Sequence, residues 1–534
     1  MSTNAPQGIQ QLQSYFHRRI RSFVRTVSIA SVPENATLWR SEVNPLMLPE
    51  ILHGVFSFLS TKTLVRVNLV CKTWHAQASG HLWRDPFFRP YSDGDHIKKR
   101  VLPFIKDHLG HVQSLNLAYA RWDVMEAVAR LPVAEFPAVT RLDLFCATLD
   151  DDLLIMLLAK TPHLRVLDLK QSDCLSETCI QQIQRLTHLE TLSIDVDLRV
   201  WPSKIKRLKW CHASGTSTEE QVQATLQGIL RCCPLLDELV LQELQLKSTS
   251  WFEQLLVQKS NLRRLSLFAC ELDGQVLHRV APTGLQYLTR FDVSMCDHVR
   301  AKDVMAVLDA CPHITSLFVS LVEGLELDKV SPQVLGRLEV LRLSLFDLSV
   351  ASMHAILDDC WSLRRLHLND LSVAMRALGE IKPFSWAFAE TLQELSIQKV
   401  RSGDQGSSSS SSENTERFSR GILQNLSQLT HLHSLMIADS DIVFKVNVSG
   451  LLAPMANLKR LRQLVLFGLA NRLQFQEIQW ITDSYLALEE LVCYEATEIP
   501  IQSWLKLHHP EIVLSYPTNQ WRTMQIKDPL SFEG

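Results

Sequence analysis

The chain has 534 residues, a length that for an ordinary globular protein means several domains. Apolar residues make up 46% of it and charged residues 21%, and a formal net charge of −3 gives no global electrostatic case for a nucleic-acid or membrane partner. The sequence shows neither an apolar run of about 18 residues, as a membrane span requires, nor the apolar core of a secretory signal at its start. We therefore expect its twelve scattered cysteines to be free thiols in a reducing compartment, the cytoplasm or the nucleus.

Residues 1–43 form a basic segment that we expect to be partly disordered. The first stretch contains no Asp or Glu, and Arg18, Arg19, Arg21 and Arg25 mingle with apolar residues. This pattern fits a basic amphipathic helix for an anionic surface or a transit peptide. It also fits a mobile tail or a helix that rests on the next segment, which is the interpretation we favour.

Residues 44–90 are predicted to contain two short apolar helices. Pro49 suits the first turn of a helix and Glu50 favours the positive end of the helix dipole. Apolar residues then recur at helical spacing in both helices. Helices this apolar cannot bury both stripes within about 40 residues, so the segment needs a partner. That partner is either another protein or the rest of the same chain.

The motifs of this segment resemble an F-box, the helical module that docks a protein onto the Skp adaptor of a cullin-based ubiquitin ligase. The resemblance is carried by Leu48-Pro49, Glu50-Ile51-Leu52, Phe58-Leu59, Val70-Cys71-Lys72-Thr73-Trp74 and Leu82-Trp83. It implies adaptor binding by Leu48, Pro49, Ile51, Leu52, Val55, Phe56, Leu59, Leu64, Val67, Val70, Cys71, Trp74, Leu82 and Trp83.

The unit L-x-x-L-x-L dominates the chain from about residue 112 onward. Its central positions recur every 25 to 27 residues at Leu115, Leu142, Leu167 and Leu192, and every 26 at Leu239, Leu265, Phe291 and Leu317. Such a period is the leucine-rich-repeat signature. We therefore predict an α/β fold for residues 91–515, a horseshoe solenoid of roughly fifteen repeats with parallel strands on its concave face and helices outside.

Several further features accompany the repeats. The interval from Leu192 to Leu208 is short, so either one repeat is truncated or the assignment is wrong. Residues 401–417 are polar and low in complexity, which predicts a disordered insertion expelled from one repeat, and residues 516–534 form a tail. The acidic run that ends at Asp152 favours a helix start over a metal or acid–base site. Cys270 and Cys296 occupy a slot that faces the repeat interior.

Strand alternation places polar and aromatic residues on the concave face. Aromatic side chains beside arginines fit the profile of binding hot spots, although the same side chains could instead pack against neighbouring repeats or the inserted loop. The predicted substrate-binding residues are Asp143, Phe145, Asp168, Asp195, Arg264, Phe268, Arg290, Phe318, Arg342, Arg365 and His367.

The sequence contains none of the motifs for nucleotide binding, zinc binding or hydrolytic catalysis. We expect no catalytic residue, metal or cofactor. The resemblance implies a non-catalytic, substrate-recognition subunit of an SCF-type E3 ubiquitin ligase. Its F-box would bind the Skp-type adaptor, and through it the cullin and RING subunits, while the repeats bind a protein substrate for degradation. A repeat scaffold in a non-degradative complex and an enzyme activator using the concave face are the alternatives.

Overall fold

The computed structural model describes residues 48–59, 61–86, 102–172, 176–211, 218–246, 249–322, 324–373, 386–398, 401–402, 425–438, 455–467, 473–493 and 498–515. The chain divides into two compact units, Met1–Arg84 and Asp85–Gly534. The predicted boundary at residue 90 lies a few residues beyond this division. The predicted segments 1–43 and 516–534 fall outside the described residues.

The first unit contains three described helices, α1 (Pro49–Phe56), α2 (Thr61–Val67) and α3 (Lys72–Leu82). A proline stands in the first turn of α1 with Glu50 beside it, as the sequence predicts. The helices enclose a small apolar core of Leu52, Phe56, Leu64, Val67 and Ala78. The core belongs to this unit alone, and the apolar side chains that do not pack into it lie outside the core.

The second unit is a ladder of parallel strands with helices between them. The described strands that form its main sheet are β1 (Ser114–Asn116), β2 (Arg141–Asp143), β3 (Val166–Asp168), β4 (Thr191–Ile194), β5 (Arg207–Cys211), β6 (Glu238–Gln242), β8 (Arg264–Phe268), β10 (Arg290–Ser294), β11 (Ser316–Ser320), β12 (Val340–Leu348), β13 (Arg365–Val373), β14 (Glu394–Gln398), β15 (Arg401–Ser402), β16 (Ser434–Ala438), β17 (Gln463–Phe467), β18 (Glu490–Val492) and β19 (Val513–Ser515). The short strands β7 (Gln245–Leu246) and β9 (Glu271–Leu272) pair separately.

The helices of this unit connect successive strands. Those described are α4 (Leu102–Asp107), α5 (Trp122–Ala129), α6 (Asp151–Lys160), α7 (Glu177–Gln184), α8 (Glu219–Cys232), α9 (Thr249–Gln258), α10 (Gln275–Gly284), α11 (Ala301–Ala310), α12 (Pro332–Leu335), α13 (Val350–Asp359), α14 (Phe475–Ser484) and α15 (Ile499–His508), with a 3₁₀ turn at Leu327–Lys329. A helix is about 10 Å wide whereas paired strands lie about 4.8 Å apart, so the strand side of the stack is the concave one. This confirms the predicted α/β solenoid.

The register of the ladder follows the predicted repeat. The central apolar residues pair strand to strand from Leu115↔Leu142 through Leu265↔Phe291 and Phe291↔Leu317 to Leu491↔Leu514. Those from Leu115 to Leu491 are all buried, at no more than 2% exposure. Each repeat therefore contributes one large apolar side chain to a continuous core that no single repeat could bury.

The short interval after Leu192 is a truncated repeat. Leu192 pairs directly with Leu208, and residues 195–206 between the two strands contain no helix. The next helix, α8, lies close against this short connection. A Cβ built on Gly228 would stand only 2.6 Å from the carbonyl oxygen of Arg199, so the position accommodates only a glycine.

The enlarged interval between Leu395 and Leu435 leaves the ladder unbroken. These two residues pair directly across the interval. One edge of the predicted insertion needs correction. Arg401 and Ser402 form strand β15 and pair with Ser372 and Val373, because the backbone of β13 extends beyond β14 and offers free hydrogen-bonding groups. The rest of the segment 401–417 lies outside the described residues.

Within the described ranges, nine non-glycine residues adopt a left-handed backbone at one repeated position, four residues after the central one. They are Tyr119, Cys146, Gln171, Glu243, Ala269, Met295, Leu321, Leu345 and Asp370. At seven of these positions the chain has already left the strand, whereas Leu345 and Asp370 lie inside β12 and β13. Backbone hydrogen bonds between repeats continue at this position. The N–H of Met295, for example, donates to the carbonyl of Ser320 at 3.0 Å.

Two local predictions are confirmed. Helix α6 begins at Asp151, and the Asp150 side chain caps it by accepting a hydrogen bond from the N–H of Leu153 at 2.9 Å. Cys270 and Cys296 are buried, and their thiols donate to the carbonyls of Leu241 and Leu267 one repeat earlier. Every described cysteine is a free thiol.

Candidate functional site

Helix α1 carries two apolar stripes that face different ways. Leu52 and Phe56 point into the core of the first unit, whereas Leu48 and Ile51 are about 40% exposed. Phe58, one turn beyond Val55 and two turns beyond Ile51, is 79% exposed. Spacings of three and four residues connect Leu48, Ile51, Val55 and Phe58, so they follow one side of the helix and its terminal turn.

Helix α2 repeats this arrangement. Leu64 and Val67 are buried in the core, whereas Val65 is 48% exposed and Leu69, in the turn after the helix, is 82% exposed. Val70 and Cys71 beside it are exposed as well. These exposed apolar side chains make this side of the domain a candidate for an interaction surface. We call Leu48, Ile51, Phe58, Val65, Leu69 and Val70 the outer apolar set.

The structure thus divides the predicted adaptor-binding residues into groups. The prediction needs correction for four residues whose side chains fill the unit's own core and do not face a partner: Leu52, Phe56, Leu64 and Val67. Val55, Leu59, Trp74 and Leu82 pack against that core and are partly exposed, and Trp83 is half-buried. Trp74 meets Phe56 edge-on, with ring centroids 5.6 Å apart. Leu48, Pro49, Ile51, Val70 and Cys71 remain exposed.

On the concave face, strand register gathers the predicted residues into two groups. Asp143 and Asp168 pair directly on β2 and β3, and Asp195 follows β4. The basic group lies further along the ladder, where Arg264 pairs with Arg290. Phe318, Arg342 and His367 lie side by side on β11, β12 and β13. The aspartates and the arginines therefore form separate surfaces.

The aspartate group is tied to the backbone of the repeats. Asp143 and Asp168 each accept a hydrogen bond from the N–H two residues on, at 3.1 Å. Burial and the neighbouring Asp168 carboxylate raise the pKa of Asp143, and burial raises the pKa of Asp195. Phe145 lies between the ring of Tyr119, 5.2 Å away, and the Lys170 ammonium, 5.0 Å away. Phe145 therefore packs between neighbouring repeats.

Phe318 is the one predicted concave residue that the structure shows to be buried, with 8% exposure. Guanidinium groups from the strands on either side cover its ring. The Arg290 guanidinium lies 4.4 Å and that of Arg342 5.4 Å from the ring centroid. The alternation correctly placed Phe318 on the concave side, but it could not show that arginines on adjacent strands would cover the ring.

The two arginines border a cavity of about 480 Å³ on strands β8 to β14. We call it the concave cationic pocket, and its described lining residues are Arg264, Thr289, Arg290, Thr315, Ser316, Phe318, Glu339, Val340, Arg342, Arg364, Arg365, His367, Gln393 and Glu394. Three of its arginines lie near glutamates: Arg264 3.4 Å from Glu238, Arg364 3.8 Å from Glu339 and Arg365 3.5 Å from Glu394.

Two ionisable side chains at the pocket have pKa values far from their usual ones. Burial and the charges of Arg342 and Arg365 lower the pKa of His367 to about 3, so its imidazole is neutral at pH 7. Asp292 is 1% exposed, and burial raises its pKa to about 6 although Arg290 and Arg342 oppose the shift. Its Oδ1 accepts a hydrogen bond from Ser294 at 2.9 Å.

The remaining predicted residues join no further cluster. Phe268 is half-buried at the end of β8, next to Ser294 of β10. Phe58, Val65 and Leu69 were not predicted to be exposed. Arg364, Glu339, Glu394 and Asp292 were not predicted to lie around the pocket. The sequence pattern could have indicated one of them, Asp292, because strand alternation places it on the concave side of its repeat.

In the described part of the chain no three His, Cys, Asp or Glu side chains are placed to hold a metal, and no helix is long and apolar enough to cross a membrane.

A family model described as F-box-like matches residues 49–89, which contain the three described helices of the first unit. A search of curated proteins finds no match for the chain. Among solved structures the chain is similar to the Rad7–Elc1 complex of yeast, with 11% identity, a TM-score of 0.38 and coverage of 96% of this chain and 98% of that one.

Two other solved structures are also similar to this chain. An internalin (inlF) of Listeria monocytogenes is 13% identical with a TM-score of 0.28 and coverage of 78% of this chain and 89% of that one. TLR13 in its complex with ssRNA13 is 12% identical with a TM-score of 0.33 and coverage of 72% and 64%. The family match and the strand ladder together show that the chain is an F-box-like domain followed by a leucine-rich-repeat solenoid.

Proposed function

We propose that this chain is a substrate receptor of an SCF-type ubiquitin ligase, working in the cytoplasm or the nucleus. The F-box-like domain would bind a Skp-type adaptor, and through it the cullin and RING subunits. The solenoid would hold a protein substrate for ubiquitination and degradation. The observation that carries the proposal is the outer apolar set, because these side chains remain exposed after the domain has completed its own core.

The energetics of the outer apolar set favour a stable contact. Burying a leucine or phenylalanine side chain contributes about 2 kcal/mol. Phe58 and Leu69, the most exposed members, would contribute most when a partner covers them. Contacts of this size are typical of the residues that dominate an interface.

In this role the chain performs no chemistry of its own. It would hold the substrate near a conjugating enzyme that transfers ubiquitin, and proximity lowers the entropic part of the reaction barrier. A long solenoid suits such a task because its concave face offers many side chains to one extended partner.

The test uses affinity purification of the full-length chain with mass spectrometry. The double variant Phe58→Ser/Leu69→Ser should lose the adaptor and the cullin together. The matched control is Leu486→Ser, which alters a 91% exposed leucine of the solenoid and should retain both. Recovery of the adaptor without cullin from the wild type would point to a non-degradative scaffold. Full recovery of the adaptor with the double variant would overturn the proposal.

A further inference from the structure

Three neighbouring rungs of the ladder expose a large apolar side chain at the same position. Met295, Leu321 and Leu345 are 40%, 45% and 38% exposed, and each has the left-handed backbone four residues after the central residue of its repeat. They lie side by side, because the N–H of Met295 donates to the carbonyl of Ser320 and that of Leu321 to the carbonyl of Ser344. We call Met295, Leu321 and Leu345 the apolar ridge.

The apolar ridge has polar or small residues on both sides. The two preceding rungs hold Glu243 and Ala269 at this position, and the following rung holds Asp370. Paired strands lie about 4.8 Å apart, so the ridge runs for about 10 Å across the strands β10, β11 and β12. A continuous row of exposed apolar side chains with such borders is a candidate interaction surface.

The chain around the apolar ridge is acidic. The connections that leave strands β6, β8, β10 and β11 are residues 243–248, 269–274, 295–300 and 321–331. They contain seven acidic and three basic residues, a formal surplus of four negative charges with histidine counted as neutral. A cavity of about 440 Å³ among these connections has four carboxylates and two cations in its lining: Glu271, Asp273, Asp297, Asp303, Arg300 and Lys302. This edge of the solenoid therefore favours a cationic partner.

The arginines of the concave cationic pocket lie too far along the strands to cancel this charge. Arg342 precedes Leu345 by three residues, and Arg290 precedes Met295 by five. At about 3.3 Å per strand residue these separations are roughly 10 Å and 16 Å. Both exceed the Debye length of about 8 Å at physiological ionic strength. In addition, both guanidinium groups lie over the ring of Phe318.

The length of the apolar ridge fits an α-helix better than an extended segment. Apolar residues at positions i, i+4 and i+7 of a helix follow one face and span about 10 Å, because the rise is about 1.5 Å per residue. An extended strand presents every second residue to one face, so three such residues span about 13 Å. A helix that crosses the strands can therefore place one apolar side chain on each rung of the ridge.

We propose that the apolar ridge docks a basic amphipathic helix of a partner protein. The apolar face of that helix covers Met295, Leu321 and Leu345, and its lysines or arginines face the acidic connections. The ridge shares no residue with the outer apolar set, so this inference goes beyond the proposed function and does not depend on it.

The test measures binding of a fluorescent synthetic peptide to the purified full-length chain by anisotropy. The probe is a helical peptide of about 18 residues, five turns, with leucines along one face and lysines elsewhere. One comparison peptide has glutamate in place of lysine, and another has the same residues as the probe with the leucines scattered around the helix. At low salt the wild type should bind the probe about a hundredfold more tightly than either, because the first is repelled and the second has no apolar face.

Variants of the chain locate the binding site. Leu321→Ser/Leu345→Ser should weaken binding of the probe about thirtyfold, because two partly exposed leucines no longer gain burial. The matched control is Leu486→Ser/Leu507→Ser, which alters leucines of 91% and 77% exposure away from the ridge and should bind like the wild type. Glu243→Gln/Asp297→Asn removes two exposed carboxylates and should weaken binding about tenfold at low salt. At about 1 M salt, where the Debye length is about 3 Å, that loss should disappear.

Three results would overturn the proposal. Equal affinity of the wild type for the probe and for the scattered peptide would show only a general attraction of cations. Unchanged affinity of Leu321→Ser/Leu345→Ser would place the peptide elsewhere. Dimerisation of the wild type that this variant abolishes would show that a second copy covers the ridge. Should the double variant fail to fold in urea titration, Leu345→Ser alone replaces it. Adaptor binding by these variants should be unchanged, so failure here is distinguishable from failure of the proposed function.

Discussion

The substitution Asp292→Asn should stabilise the protein at neutral pH. Asp292 is 1% exposed on the concave side, and burial raises the pKa of its carboxyl from 3.8 to about 6. A carboxyl whose pKa rises on folding binds its proton more tightly in the folded state. Its ionisation therefore destabilises the fold, and an asparagine of the same shape avoids the cost.

The size of the effect follows from the shift. Below about pH 4 both states hold a neutral Asp292, so the variant and the wild type should be equally stable. Between about pH 4 and 6 the wild type should lose stability relative to the variant. Above pH 6 the difference should level off at about 3 kcal/mol, since each pKa unit corresponds to about 1.4 kcal/mol.

Urea unfolding of the full-length chain, repeated from pH 4 to pH 8, measures this difference. Asp309→Asn, which replaces an exposed aspartate of α11, is the matched control and should show no such step. A variant that is no more stable than the wild type at pH 8, or a stability difference that does not depend on pH, would refute the conclusion that ionisation of the buried Asp292 carboxyl destabilises the fold.

Three further predictions concern the solenoid. Leu317→Ala should cost about 3 kcal/mol, measured by urea unfolding, because the side chain is fully buried and leaves a cavity; a loss below 1 kcal/mol would contradict its place in the core. Ala269→Gly should be neutral or slightly stabilising because glycine adopts a left-handed backbone without strain, whereas Ala224→Gly inside α8 should cost about 1 kcal/mol. Equal losses of stability for the two variants in thermal melting would argue against a left-handed backbone at Ala269. Asp150→Ala should cost about 1 kcal/mol through loss of the helix cap, and an unchanged melting curve would show that the cap contributes nothing.

The solenoid was largely predictable because its pattern is periodic. A leucine or phenylalanine recurs at the centre of each unit, and the same positions pair in the ladder from Leu115 onward. The truncated repeat after Leu192 was also predictable, because the short interval to Leu208 leaves too few residues for a helix. The edge of the insertion at Arg401 was not predictable, because it depends on the backbone of a neighbouring strand.

The candidate sites were less predictable, for a physical reason. Ile51 and Leu52 are adjacent and equally apolar, yet only Leu52 lies in the core. Composition cannot separate an inner from an outer stripe when both are apolar. In the same way, the burial of Phe318 depends on arginines contributed by two other repeats, and the raised pKa of Asp292 depends on packing across strands.

The most direct test of the central claim is calorimetric titration of the purified full-length chain with a Skp-type adaptor. Loss of two buried anchors at about 2 kcal/mol each predicts that Phe58→Ser/Leu69→Ser raises the dissociation constant about a thousandfold. Its urea unfolding should match the wild type because both residues are exposed. A folded double variant that binds the adaptor as tightly as the wild type would contradict the account.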